Sequence, residues 1–495
     1  MKLYTLICAV CALCHSLAFG NNLQISNITL TGKDTIANTY QVQFDIAWEN
    51  SWRTSTLESN YDAVWVFIKF RIDTQTDWQR GLIASVGFVA PAGAAIDVSA
   101  DAVGAFIFRS ASGIGNVNYT GVQLQWNYGG SGIADDAIIE ICVQGIEMVY
   151  VPTGAYSLGD NSASPAGTFA AGNSGNPFVI NSENALTLGG TVSTNLSNNN
   201  AIGMLTPDDY NYTTTQPLPA AYPKGFNEFY IQKYEISQDQ YTAFLNKLPP
   251  VAATNRFPNQ AGQNGHTIAN TGVPPNVYVT TTPDRACNFL SWADLAAYAD
   301  WSGLRPMSEL EYEKACRGTR APVVDEGAWG NSFAFNAPYL VANNALPNEV
   351  FTNPGTGTGN CLYSLTRPGG VSGVRRCGIF AASAVNKTRQ ETGGTYYGVM
   401  DMSGNVWEMV VNTSNPTGRS FTGLHGNGII GATGSSTVGG WPAITGANEA
   451  VGIGVRGGGN GNPLIDQRVS TRRLGGFPIA GRFSDVGGRL VRSSF

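Results

Sequence analysis

The side chains able to do chemistry are few, and their counts exclude more than they allow. The chain holds three histidines, and past residue 20 only His266 and His425 remain. Two imidazoles cannot build a three-histidine metal centre. Both sit in loop-like surroundings, so each is expected at the surface. Five cysteines follow residue 20: Cys142, Cys287, Cys316, Cys361 and Cys377. An odd number leaves at least one free thiol or an intermolecular bridge. Cys361 and Cys377 flank a glycine-rich loop and are the pair expected to join in a disulfide; the alternative is five buried apolar thiols. No Gly-x-Ser-x-Gly elbow marks a hydrolase nucleophile. Gly457 to Gly461 matches a phosphate loop only in its glycines, since no Lys-Ser/Thr follows and no strand–loop–helix surrounds it.

The elements that must position such groups begin with an export signal. Lys2 opens residues 1–20, Leu3 to Leu17 form an apolar run, and Ala18-Phe19-Gly20 reads as a cleavage site. Cys8, Cys11 and Cys14 follow Ile7, Val10 and Leu13 rather than a small residue, so a lipidation box fails. No later stretch reaches about 20 apolar residues, so no membrane span is expected. The chain is expected to be secreted or held at the cell surface by contacts. Its 495 residues make about three domains' worth. With 43% hydrophobic residues it can bury real cores, while only 13% charged residues and 60 glycines mark a turn-rich, β-dominated protein. A net charge of −6 argues against nucleic acid as a partner.

Residues 21–145 read as an antiparallel β-sandwich. Gln41-Val-Gln-Phe-Asp-Ile-Ala-Trp48 alternates at period two, and Ala63 to Ile72 does so for much of its length. Trp48, Trp52, Trp65, Trp78 and Trp126 are expected mostly in its core, with an aromatic sugar-binding face as the sharper reading. Asn22 to Thr31, just after the cleavage site, is a candidate strand for donation between subunits. Residues 155–222, rich in Ser, Asn, Thr, Gly, Ala and Pro, read as long surface loops inserted early in a second unit, 146–495. There Phe229 to Ile236 is a strand running into a Ser237-x-x-Gln240 capping box and a helix through Leu245. Further helices are predicted over about Trp292–Trp301 and from the cap Ser308 to Cys316.

Four segments in fixed order then carry a likeness: Glu147-Met-Val-Tyr-Val-Pro-Thr-Gly154, Phe229 to Asn246, Asn288 to Gly318, and Tyr397 to Glu408 with its Ser-Gly-Asn-Val-Trp-Glu block. Val455-Arg-Gly-Gly-Gly459 and Gly487-Gly-Arg-Leu-Val-Arg492 close the chain. Residues from about 145 to 495 resemble the formylglycine-generating enzyme (sulfatase-modifying factor) family, which implies a variant of the C-type lectin fold. The expected class is therefore mainly β with short helices (α+β), a β-sandwich followed by the lectin-like domain.

The resemblance implies little catalysis. The family's copper-dependent enzymes use two cysteines a few positions beyond Arg-Gly-Gly, where this chain counts Asn462 and Gln467. Amides cannot replace the soft thiolates that bind Cu(I). The related iron enzymes need three histidines that are absent here, so neither copper nor iron is expected. Calcium is implied instead, with side-chain ligands at Asp401 and Glu408 and backbone carbonyls at Gly404 and Val406, a donor set of the right hardness. The other reading has Asp401 cap a turn and Glu408 pair with an arginine. A second calcium site would start near Asn343 without placeable partners. Trp301, Tyr312 and Trp407 fall at core positions, and Arg456, Arg473 and Arg489 at bracing ones. Residues 456–492 fall where this fold presents ligands, so Arg468, Arg472, Arg473, Phe477 and Arg482 are ligand-face candidates. The expected function is a secreted, non-enzymatic structural or interaction protein, associating with itself or with other surface proteins. The alternative is a display or adhesion protein recognising glycan or protein.

Overall fold

A computed structural model describes residues 17–18, 22–73, 75–163, 167–198 and 203–494. The expected signal peptide lies almost wholly outside them. In chain order the N-terminal part forms β1 (Leu23–Asp34), β2 (Thr39–Arg53), β3 (Asp62–Ile72), β4 (Ala94–Val98), β5 (Gly104–Arg109), β6 (Gly113–Asn127) and β7 (Ile139–Val151). The remainder places β8 (Phe229–Gln232), α1 (Gln238–Leu245), α2 (Pro250–Arg256), α3 (Trp292–Ser302), β9 (Arg305–Pro306) and α4 (Glu309–Arg317). Then follow β10 (Trp407–Val411), β11 (Ile453–Arg456), β12 (Val486–Gly487) and β13 (Leu490–Ser493).

Strands β1, β2 and β6 form one sheet, in that order, and β9-β13-β8-β7-β3-β5-β4 form a larger one. Alternation works as the sequence requires: Val42, Phe44, Ile46 and Trp48 of β2 meet Val64, Val66, Ile68 and Phe70 of β3 and Val122, Leu124 and Trp126 of β6 in one core. The expected boundary at 145/146 lies within a continuous strand, β7, which pairs with β3 from Asp62↔Val149 to Ile72↔Ile139 and with β8 from Phe229↔Val151 to Gln232↔Met148. The sandwich and the lectin-like part therefore share one sheet. Strand β3 is the hinge of this arrangement. Its even positions face the sandwich core, while Ala63, Trp65 and Phe67 join a second core with Leu295, Trp301 and Leu304. A strand buried on both faces reads as a continuous apolar run, as residues 63–68 do.

The three expected helices form where local chemistry dictates. Ser237, Ser291 and Ser308 each accept from the backbone N–H three residues on, and Gln240, Asp294 and Glu311 complete capping boxes. Trp48, Trp65 and Trp126 are buried, while Trp52 and Trp78 are only half-buried. Residues 155–222 are more than surface loops. They contain short paired strands such as Phe169–Ala171 and Leu196–Asn198, and they send Phe169, Leu188, Leu196, Tyr210 and Leu218 into the second core. Asn22 to Thr31 is engaged within the chain, from Gln24↔Ala47 to Thr31↔Gln41, so strand donation by this segment would first require its release from β2.

Candidate functional site

The turn from Asp401 to Val406 feeds β10 and is made by three left-handed residues: Asp401 (φ 59°), Gly404 (φ 95°) and Asn405 (φ 62°). At Gly404 a Cβ would lie 2.6 Å from the Leu362 carbonyl oxygen, so the turn needs its glycine. Asp401 accepts from the Gly378 amide at 2.5 Å. Glu408 accepts from Arg489 at 2.8 and 2.9 Å through Oε1, while its buried Oε2 has no partner among the described residues. Glu235 closes the group, accepting from the Asn405 side chain at 2.7 Å and the Val406 amide at 3.2 Å. Burial, and then repulsion from Asp401, raise the pKa of Glu235; burial likewise raises Asp401 and Glu408. Arg489 thus faces three buried carboxylates, with Arg376 acting on Asp401 alongside it.

This turn can be tested for calcium. Among the described residues no three His, Cys, Asp or Glu side chains converge as a ready metal cage. The implied set needs only two, Asp401 and Glu408, completed by carbonyls of Gly404 and Val406. The orphaned Glu408 oxygen and the excess of buried negative charge fit a hard divalent cation. The other reading of this turn, the pairing of Glu408 with Arg489, is present.

The glycine-rich loop tells a clearer chemical story. Asn462 Oδ1 accepts from the Gly459 amide at 3.1 Å, and Gln467 Nε2 donates to the Gly459 carbonyl at 3.2 Å. Gln467 is fully buried, and Asn460 further pins the loop by donating to the Asn405 carbonyl at 2.9 Å. The two side chains expected at the family's cysteine positions bind the loop's own backbone.

Against the ligand-face expectation for residues 456–492, the arginines pair with carboxylates of the chain itself. Arg472 is fully buried between Asp208 (2.7 Å) and Glu309 (2.8 Å), over the ring of Phe169. Arg473 pairs with Asp466 at 2.7 Å and Arg482 with Asp294 at 2.7 Å. Arg468 pairs with Asp325 at 2.8 Å, and Phe477 packs half-buried against the second core. Arg456 and Arg489 brace as expected, Arg456 holding Glu309 and Glu313 of α4 and the Val469 carbonyl. Trp301, Tyr312 and Trp407 are core.

The expected disulfide is absent. Cys361 packs with Trp329 and Tyr363, while Cys377 lies in a separate cluster with Ala286, Val374 and Val406, and both are buried free thiols. Flanking one loop does not bring their sulfurs together. His266 is not at the surface either. It is buried against Phe289, with Nδ1 3.0 Å from Asn288 Oδ1, and burial lowers its pKa to about 4. His425 is half-buried and accepts from the Ser493 amide through Nε2 at 3.0 Å.

A sheet shared with a sandwich, short capped helices, a buried arginine–carboxylate lattice and a glycine-rich loop closed by amides define a lectin-like scaffold whose loops, not its regular elements, carry the chemistry. The chain belongs to the sulfatase-modifying factor enzyme 1-like domain family, whose sequence profile matches residues 142–494. Relatives include a formylglycine-generating enzyme of Thermomonospora curvata, 25% identical over 209 residues, covering 36% of this chain and 58% of that protein. Another is the inactive C-alpha-formylglycine-generating enzyme 2 of Mus musculus, 31% identical over 137 residues, covering 28% of this chain and 35% of that protein. The chain thus spans less than two thirds of either relative. The family holds an enzyme and an inactive protein alike, and residues 22–141 lie outside the match. Among the described residues no helix is long and apolar enough to cross a membrane.

Proposed function

We propose that this chain is a non-catalytic interaction protein, exported to the cell exterior and stiffened by calcium at the 401–408 turn. The observation that carries the reading is the pair Asn462 and Gln467. They stand where the resemblance asks for cysteines, and both are spent on Gly459. Without a thiol there, the loop has neither the nucleophile nor the soft ligand that Cu(I) requires. The test incubates the purified chain with Cu(I), a cysteine-containing peptide, dioxygen and a reductant, and follows the peptide by mass. The cysteine should stay unmodified; conversion to an aldehyde would end the reading.

Self-association through the β part has one support. Strand β4, Ala-Ala-Ile-Asp-Val, ends the large sheet, and among the described strands its outer edge pairs with none. Light scattering of the chain should give assemblies larger than one copy, and Ile96→Lys should reduce them. A monomer at every concentration would remove this part of the proposal.

A further inference from the structure

Where the β2–β3 connection meets the segment 376–400, the molecule holds a cleft of about 550 Å3. Its N-terminal wall includes Trp52 and the carboxylates Glu49 and Glu58. Its C-terminal wall includes Tyr396 and the cations Arg376, Lys387 and Arg389, with no carboxylate among its lining residues. This wall is absent from the expected ligand stretch 456–492, and the facing one lies outside the family match.

The cleft is preformed. Gly398 (φ +88°) lets Trp52 approach so closely that a Cβ there would lie 2.9 Å from the indole. Gly378 (φ +70°) does the same for Tyr234, at 2.6 Å. The Trp52 indole N–H donates to Asn60 at 3.2 Å, and Asn60 in turn donates to the Tyr397 carbonyl at 2.7 Å, so the two walls are tied. Beneath Trp52 the buried Lys233 ammonium is neutralised by Asp62 and Glu147, each 3.3 Å away.

The cations of the wall differ in one respect. Lys387 donates to the Ala381 and Ala382 carbonyls, and Arg389 to those of Cys316 and Ala328. The Arg376 side chain makes no hydrogen bond and no ion pair within 4 Å with a described residue, and its Nε is buried without a partner, although the buried carboxylates of Asp284 and Asp401 lie within its electrostatic reach. A buried donor left unmet is expensive, and a planar guanidinium is met best by a carboxylate.

We propose that this cleft binds an acidic saccharide, its carboxylate on Arg376 and a sugar ring against Trp52 or Tyr396. The polarity of the walls selects that ligand over an acidic peptide. Glu49 and Glu58 would repel a chain of carboxylates, yet they accept hydrogen bonds from sugar hydroxyls. The walls are mostly loop backbone, with only the end of β2 at Glu49–Trp52 and the five-residue helix Ile379–Ser383 as regular structure, and they offer no long helix groove of the kind by which peptides are often held. The volume suits a ligand of one or two sugar rings. This inference goes beyond the function proposed above and stands whether or not the chain self-associates.

The test is calorimetry of the purified chain with cellobiouronic acid, with cellobiose as its uncharged counterpart, and with the dipeptide Glu-Glu. The acid should bind at least tenfold more tightly than cellobiose. Arg376→Gln should weaken the acid by about 10- to 100-fold and leave cellobiose unchanged. Arg376→Lys, which keeps the charge, should lose less than Arg376→Gln and guards against a folding defect. Raising salt from about 50 mM to about 500 mM should weaken the acid alone. No heat up to about 10 mM acid, equal binding of acid and cellobiose, or acid binding indifferent to both Arg376 variants would each overturn the proposal. Glu-Glu binding with the same Arg376 dependence would overturn it in favour of a peptide.

Discussion

Arg472→Met distinguishes an internal brace from a ligand-facing arginine. Methionine keeps an unbranched stem and removes the charge together with bonds to Glu309 (2.8 and 3.0 Å), Asp208 (2.7 and 3.0 Å) and the Gly167 carbonyl (3.2 Å). Glu309 would keep Arg456 at 3.2 Å and the Thr413 amide at 2.8 Å, so its loss is partial. Asp208 would keep the Asn198 side-chain amide at 2.6 Å, with no other cation in hydrogen-bond contact among the described residues. Breaking a buried pair from one side costs about 3–5 kcal/mol, because the remaining charge stays buried. In a chain of 495 residues that is roughly 3–5 °C of thermal midpoint.

Guanidinium unfolding monitored by tryptophan fluorescence measures this directly. An arginine on an open ligand face would change stability by less than about 0.5 kcal/mol. The double variant Arg472→Met/Asp208→Asn supplies the mechanism, since it removes the stranded charge without restoring the arginine. It should recover about 1–2 kcal/mol relative to Arg472→Met. A loss under about 1 kcal/mol for the single variant, or a double variant less stable than the single, would refute the brace.

Other outcomes follow from the same structure. His266 is held neutral, with a pKa of about 4 against 6.5 when free. Its contribution is therefore intact above pH 6.5 and is lost as pH falls toward 4, about 3 kcal/mol in all; His266→Gln should flatten that part of the stability–pH curve, and identical curves would count against it. Calcium added after chelation should stabilise the chain by about 2.7 kcal/mol at a hundredfold excess over Kd, read as a higher thermal midpoint, and Asp401→Ala should abolish the response. All five thiols that follow residue 20 should resist Ellman's reagent in the native protein and alkylate fully in denaturant without reductant, which a Cys361–Cys377 bridge would prevent. A chain starting at residue 146 loses β3, uncovers β7 and removes Trp65, Phe67 and Phe106 from the second core; cooperative melting of that fragment would contradict the shared sheet.

What was legible in the sequence was local. The capping serines of α1, α3 and α4 stand three residues from their partners, and the absence of cysteine at Asn462 and Gln467 needs only counting. Charge, by contrast, misled. Residues 309–317, Glu-Leu-Glu-Tyr-Glu-Lys-Ala-Cys-Arg, have the composition of a solvated helix, yet all nine are buried. Their partners Arg456 and Arg472 lie 143 to 163 positions away, so no window of sequence shows the match. The same distance hid the use of Arg468 and Arg482, whereas the partner of Arg473, Asp466, stands only seven positions away. Clustered arginines beside small residues look like a binding surface until the carboxylates that reach them are known. His266 failed for a related reason: its ring is covered by Asn288 and Phe289, more than twenty positions further on.

The domain boundary was hidden by an ambiguity that one residue could have resolved. A strand with both faces buried needs two cores, and Ala63 to Phe70 is apolar throughout except for Lys69. A single lysine in such a run must either reach water or find acceptors inside. Lys69 is 1% exposed and donates to the carbonyls of Trp301 at 2.7 Å and Gly428 at 3.0 Å. Trp301 stands in the last turn of α3, where carbonyls lack helical partners and the dipole favours a cation. That helix carries no basic residue of its own in the last turn. The Trp65 indole donates to the next carbonyl, Ser302, at 2.8 Å, and Arg492 of β13 takes that of Gly303. Three successive carbonyls at the end of a helix in the lectin-like part are thus satisfied by two residues of β3 and one of the closing strand. The N-terminal strands do not merely adjoin the family domain; they supply the donors that end one of its helices.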